Sequence, residues 1–99
     1  MINIKIEKKG DEYEIKAEGH AMFCPGNDIV CASVSCLFYT LLGFLGNCKG
    51  VCHSFEMKSG DAHILAKGDM EQAFEMFVIG LLQIEKSYPD NVKVCITDI

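Results

Sequence analysis

The segment IVCASVSCLFYTLLGFLGNC, residues 29–48, decides the fold because it carries no charged side chain over twenty consecutive positions. A segment of this length and composition forms either a helix of the protein core or a span across a bilayer. Its serines, threonine and glycines are unfavourable for a span, and Lys49 alone gives little charge to orient one. We therefore predict a buried helix rather than a membrane span.

The residues at both ends of this segment are typical of helix termini. Asn27 or Asp28 can accept a backbone N–H bond as the N-cap, and Gly46–Asn47 is a suitable stop. A helix that is apolar nearly all round has more apolar surface than one sheet face can cover. We therefore expect a homodimer, in which the exposed side of this helix or a sheet edge forms the contact.

A strand hairpin is predicted on each side of the helix. Before it, apolar and polar residues alternate with the period of a half-buried strand, first from Ile2 and then, after the turn KKGDE, from Tyr13 to a strand end near Gly19. After the helix the same plan returns around the turn SGD. The inward-facing positions of this second hairpin are predicted to be Val51, His53, Phe55, Met57, Ala62, Ile64 and Ala66.

A second helix and a last strand complete the chain. Asp69 is a candidate N-cap with Gln72 three residues later, as in a capping box, and Pro89 stops the helix before a final apolar alternation. The buried face of this helix is predicted to be Met70, Phe74, Phe77, Leu81, Ile84 and Tyr88. We predict an α+β fold in a single domain over residues 1–99, with the order ββαββαβ and both helices on one face of an antiparallel or mixed sheet.

Composition narrows the classes of function. The formal net charge of −5 argues against a nucleic-acid-binding protein, which needs a cationic surface to meet phosphates. The sequence opens MINIKIEKKG, without an apolar signal segment, so we expect a cytoplasmic protein whose six cysteines are reduced. Direct binding to nucleic acid or to a membrane is not expected.

One cysteine, Cys31, has the surroundings expected of a catalytic nucleophile. With Asp28 as the cap, Cys31 lies in the first turn of the helix, where unpaired N–H groups and the helix dipole favour a thiolate. His20 lies at the end of the second strand, and the short loop after it lets the imidazole reach the sulfur. Ser35 lies one turn after Cys31 on the same helix face. From these residues alone, a buried structural cysteine is the more frequent outcome.

The pattern GHA at residues 19–21, followed by GNDIVCA at residues 26–32 and by Ser35, closely resembles the ribosomal-processing cysteine protease family Prp. The resemblance extends over nearly the whole chain in length and element order. It implies a dimeric, cytoplasmic bacterial endopeptidase without metal or cofactor, which removes the N-terminal extension of a large-subunit ribosomal protein by cutting after a phenylalanine. By position, Cys31 matches the nucleophile and His20 the general base, while Gly19, Asp28 and Ser35 match further motif residues.

Two questions about this region stay open in the sequence. Asp28 can cap the helix or orient His20. Residues 21–27 are predicted to be a loop that lines the substrate cleft, with Met22, Phe23 and Gly26 as candidate substrate-loop residues. The loop also contains Cys24, which either reflects variation in a tolerant loop or forms a reversible disulfide with Cys31 that silences the enzyme.

A zinc site and a binding module are the alternatives to a protease. A zinc site is not expected, because Cys52 and His53 are strand neighbours that point to opposite faces; His63 is expected to face solvent and His53 to be partly buried. The stronger alternative is a non-catalytic dimeric protein-binding module, which the same fold permits. Only the protease predicts selective alkylation of Cys31 near neutral pH.

Overall fold

The computed structural model describes residues 1–20 and 28–98, and its elements follow the predicted order. They are β1 (Ile2–Lys9), β2 (Glu12–Glu18), α1 (Ile29–Asn47), β3 (Cys52–Lys58), β4 (Asp61–Lys67), α2 (Glu71–Ser87) and β5 (Val92–Asp98). The strands form one sheet in the order β3-β4-β2-β1-β5. Neighbours are antiparallel except β1 and β5, which run parallel, so the sheet is mixed. The predicted α+β class and element order are confirmed.

One face of the sheet is buried beneath the helices. The strand registers place Ile15 of β2 between Ile6 of β1 and Ile64 of β4, and each of these side chains is at most 1% exposed. Phe38 of α1 and Phe77 of α2 pack edge to face, with ring centroids 5.2 Å apart. Burying each such side chain stabilises the fold by roughly 1.5–3 kcal/mol. A one-residue slip of a strand would turn its inward-facing apolar side chains to the solvent-facing side of the sheet. The buried face therefore fixes the registers.

Helix α1 begins at the predicted place. Asp28 is its N-cap, and the carboxylate oxygen Oδ1 accepts hydrogen bonds from the backbone N–H groups of Val30 (2.9 Å) and Cys31 (3.0 Å). By length and composition α1 is a helix that could cross a membrane. Its sheet-facing side chains nevertheless pack into the core, at the spacing of one helix face: Val30, Val34, Phe38, Leu41 and Leu45.

Helix α2 begins differently from the prediction. Met70, rather than Asp69, occupies the N-cap position, and its side chain makes no capping hydrogen bond. The Met70 side chain is 2% exposed, so its burial sets where the chain enters the helix and leaves Asp69 one residue too early. The predicted capping box is wrong, whereas Phe74, Phe77 and Leu81 form the buried face as expected.

Strand β3 is the second departure. Among the described strands it pairs only with β4, at the edge of the sheet, and of its inward-facing residues only Met57 is half-buried against the core. Phe55 is therefore 55% exposed and His53 is also exposed, although the alternation predicted burial. His63, on the other face of the sheet, is half-buried beside Glu14, with Nε2 and Oε2 3.1 Å apart. The relative exposure expected of the two histidines is thus reversed.

Candidate active site

Three pieces of the fold meet around one cavity of about 400 Å³. They are the segment that follows β2, the turn between β3 and β4, and the first turns of α1. Four residues singled out in the sequence line this cavity: Gly19, His20, Cys31 and Ser35. The fold thus brings a thiol and an imidazole, eleven positions apart in sequence, to the wall of the same cavity.

Cys31 is half-buried in the first turn of α1. The turn forms there because Asp28 satisfies two N–H groups that otherwise lack intrahelical partners. Of the two roles open to Asp28, the structure places it in the capping role. The same contact means that the Cys31 amide already has an acceptor.

His20 is held by the hairpin turn of the neighbouring strands. The register between β2 and β4 sets Glu18 opposite Asp61, so the chain leaving β2 passes directly over Gly60. The Gly19 N–H donates to the Gly60 carbonyl at 2.9 Å. A Cβ atom at Gly60 would lie 2.8 Å from Nε2 of His20, so only glycine leaves room for the ring in this position.

Gly19 has a conformational and a steric reason to be glycine. Its φ of +97° lies in the region that residues with side chains rarely adopt. A Cβ atom there would also collide with the backbone carbonyl oxygen of Met1. The motif glycine therefore shapes the chain immediately before His20.

The rest of the cavity wall was not predicted. Phe38 and Tyr39 line it from α1, and Met57 and Gly60 line it from the second hairpin. In the sequence, the segment KSGD at residues 58–61 indicates a turn and nothing more. Its place beside His20 follows from the pairing of β2 with β4, which no local pattern reveals.

The predicted substrate-loop residues Met22, Phe23 and Gly26, and the proposed Cys24–Cys31 disulfide, lie outside the described residues. They stay predictions. Among residues 1–20 and 28–98, no three His, Cys, Asp or Glu side chains are grouped to hold a metal ion. His53 and His63 point to opposite faces of the sheet, because His53 is opposite Ala66 and His63 is opposite Lys16.

A larger and more open depression, of about 560 Å³, lies at the other end of the sheet. Its wall includes Glu14, His53 and Lys67 but neither Cys31 nor His20. The larger cavity is therefore not the candidate active site. The smaller cavity is, because its wall contains both the thiol and the imidazole.

A family model of cysteine protease Prp matches residues 1–93 of the chain. The chain belongs to the cysteine protease Prp family. It is therefore a cysteine protease, a hydrolase, as the motif around Cys31 predicts. No curated protein matches the sequence.

Solved structures share the Prp fold. The ribosomal processing protease Prp from S. aureus, in complex with a covalently linked product peptide, has a TM-score of 0.86 at 20% identity, over 98% of this chain and 100% of that chain. SMU.848 from Streptococcus mutans has a TM-score of 0.77 at 22% identity, over 100% of this chain and 96% of that chain. At these identities the likeness establishes the fold.

Proposed function

We propose that this cysteine protease removes the N-terminal extension of a bacterial large-subunit ribosomal protein, with Cys31 as nucleophile and His20 as general base. The observation that carries the proposal is that both residues line one cavity in a chain of the Prp family. The S. aureus relative is a ribosomal processing protease, and its complexes with product and substrate peptides support a peptide substrate for this chain.

The reaction uses the two residues in two steps. The sulfur of Cys31 attacks the scissile carbonyl carbon, a C–S bond replaces the C–N bond, and His20 donates a proton to the leaving amine. His20 then takes a proton from water, which attacks the thioester, releases the new carboxyl terminus and regenerates the thiolate.

The oxyanion needs hydrogen-bond donors close to the reacting carbonyl. The N–H groups at the start of α1, next to Cys31 in the chain, are the candidates for this purpose. In the structure the amides of Val30 and Cys31 both donate to Asp28. The oxyanion would therefore compete with the Asp28 carboxylate for the Cys31 amide, which makes the position of Asp28 part of the catalytic geometry.

The remaining assignments follow the same proposal. Gly19 and Asp28 shape the backbone around His20 and Cys31, and Ser35 offers a hydroxyl on the cavity wall. Residues 1–99 form one protease domain that works as a cytoplasmic homodimer without cofactor or metal. Its partner is the substrate polypeptide, with no direct binding to nucleic acid or membrane.

The test is to incubate the purified protein with the extended ribosomal protein of the same organism. We expect a single N-terminal cut, which mass spectrometry would place, and no cut by Cys31→Ala or His20→Ala. Cys36→Ala is the matched control, because Cys36 is an exposed cysteine of α1 that does not line the cavity, and it should cleave normally. Undiminished turnover by Cys31→Ala would end the assignment.

The same preparation separates the protease from a non-catalytic binding module. A nucleophilic thiol predicts that iodoacetamide at neutral pH modifies Cys31 before the exposed Cys36, Cys52 and Cys95. A binding module predicts that the more exposed thiols react first. Peptide mapping over time distinguishes the two orders.

A further inference from the structure

The side of β3 that faces the helix layer is open and continuous with the candidate active site. Met57 lines the cavity that contains Cys31. Two residues along the same face, Phe55 is 55% exposed, and its ring stacks with that of His53, centroids 6.3 Å apart. Tyr39 of α1, 63% exposed, lines the same cavity from the opposite side. An aromatic surface therefore leads along β3 into the site.

The outer edge of β3 also offers backbone hydrogen bonds. A two-residue turn, Ser59–Gly60, joins β3 to β4 and leaves Lys58 opposite Asp61. In such a hairpin the closing pair exchanges backbone hydrogen bonds, and these pairs then alternate along the ladder. His53, Phe55 and Met57 therefore point their N–H and C=O groups away from β4. Within residues 1–20 and 28–98, no strand pairs with this edge.

The opposite edge of the sheet, formed by β5, is less accessible to an added strand. There, Glu85 of α2 accepts a hydrogen bond from the backbone N–H of Val94 in β5, at 2.6 Å. A carboxylate on an edge N–H obstructs the approach of a further strand. Of the two edges, the one that leads to Cys31 is the accessible one.

We propose that the substrate polypeptide binds in an extended conformation as an added strand on the outer edge of β3, which delivers its scissile bond to Cys31. Alternate backbone groups of the peptide pair with His53, Phe55 and Met57, the mode known as strand addition. Side chains of the same peptide pack over Phe55 and between Met57 and Tyr39. This inference rests on the proposed protease function and names the surface that recognises the substrate.

The dimensions fit a short segment. The three outward-pointing residues of β3 span about 14 Å, which corresponds to roughly five residues of extended peptide. The surface that those residues would cover is apolar and aromatic, so apolar side chains are preferred at alternate positions of the peptide. The occupant is the substrate rather than a second copy of the chain, because the edge is continuous with the cavity that holds the thiol and the imidazole.

Steady-state kinetics on the cleavable segment of the ribosomal protein, as a synthetic peptide, test the surface. Phe55→Ala should raise KM about tenfold with little change in kcat, because it removes apolar contact without touching the reacting atoms. Leu65→Ala is the matched control, since Leu65 is 42% exposed on the other face of the adjacent strand β4. It should leave KM unchanged, and circular dichroism would confirm that both variants are folded.

Backbone pairing is tested without altering the protein. A series of peptides, each methylated at one backbone nitrogen, should show KM raised about tenfold at every second position and little changed between them, because only alternate N–H groups face β3. Equal effects at successive positions, or no effect at any, would overturn the strand proposal. The strand proposal would also be overturned if Phe55→Ala abolished self-association while KM stayed normal, since β3 would then contact a second copy of the chain.

These results are separable from the proposed function. If the unaltered protein cleaves the peptide and Cys31→Ala does not, the protease assignment stands whatever the methylation series shows. If the unaltered protein cleaves nothing, the assignment and the strand inference are both wrong.

Discussion

Gly60 contacts the proposed general base although it lies forty residues from His20 in sequence. A methyl group there would meet the imidazole at 2.8 Å from Nε2. The ring must then move, and a misplacement on the order of 1 Å can cost about a hundredfold in rate. We therefore predict that Gly60→Ala lowers kcat by up to about a hundredfold, measured with the peptide substrate, while KM changes much less.

Backbone strain is the competing explanation, because Gly60 has a φ of +75°. Gly10→Ala is the matched control: Gly10 has a φ of +62° in the β1–β2 turn, and a Cβ there meets nothing within 4 Å. Both substitutions should cost about 1 kcal/mol in urea unfolding. Equal kcat values for the two variants would show that Gly60 acts through stability alone.

How far the site could be predicted differs from residue to residue. Cys31 and His20 stand in a local motif, so the sequence alone is enough to propose them. It left the cap open between Asn27 and Asp28, and only the structure identifies Asp28 as the N-cap. Gly60 and Met57 enter the site only through the pairing of β2 with β4, a long-range register that alternation does not specify. Their contribution therefore needed the three-dimensional structure.

At the scale of elements, β5 depends on a side chain of α2. Glu85 accepts the edge N–H of the half-buried Val94 at 2.6 Å. Leaving such a donor without its partner costs roughly 1–3 kcal/mol. We predict that Glu85→Ala lowers the free energy of unfolding by about that amount, measured in urea, whereas Glu85→Gln retains an acceptor oxygen and loses less.

The exposed Glu75 of the same helix provides the control for charge and helix propensity. Glu75→Ala should leave stability within about 0.5 kcal/mol, as surface substitutions usually do. If Glu85→Ala and Glu75→Ala had equal effects, the contact to Val94 would contribute nothing to stability.

The errors in the predicted elements have one physical origin. The alternation in β3 and the capping residue at Asp69 are both local patterns, whereas burial depends on what lies above each position. The helices cover the three inner strands, β4, β2 and β1, better than the edge strand β3, so Phe55 is exposed. Met70 is buried in the core as the N-cap residue, so the helix begins at Glu71. The type of each element could be predicted from the sequence, whereas the extent to which the helices cover each strand could not.

At the scale of the whole molecule, the helix layer carries apolar side chains on its outer surface. Met76 is 74% exposed, Ile79 is 54% exposed and Phe44 of α1 is 41% exposed. Large exposed apolar patches are typical of contact surfaces. Since β3 is assigned to the substrate, this outer surface of the helices is the better candidate for the contact of a homodimer.

We predict that the double substitution Met76→Lys and Ile79→Lys converts the dimer to a monomer, because two ammonium groups from each chain cannot be buried unpaired at a symmetric contact. Light scattering after size exclusion should give twice the 11.0 kDa of one chain for the unaltered protein and 11.0 kDa for the variant. Leu65→Lys, on the outer face of the sheet, should remain dimeric. A dimer that survives the double substitution but is lost with Leu65→Lys would move the contact from the helices to the sheet.

Peptide cleavage by the monomeric variant then shows whether one chain holds a complete site. We expect that it does, because Cys31 and His20 of a single chain line the same cavity.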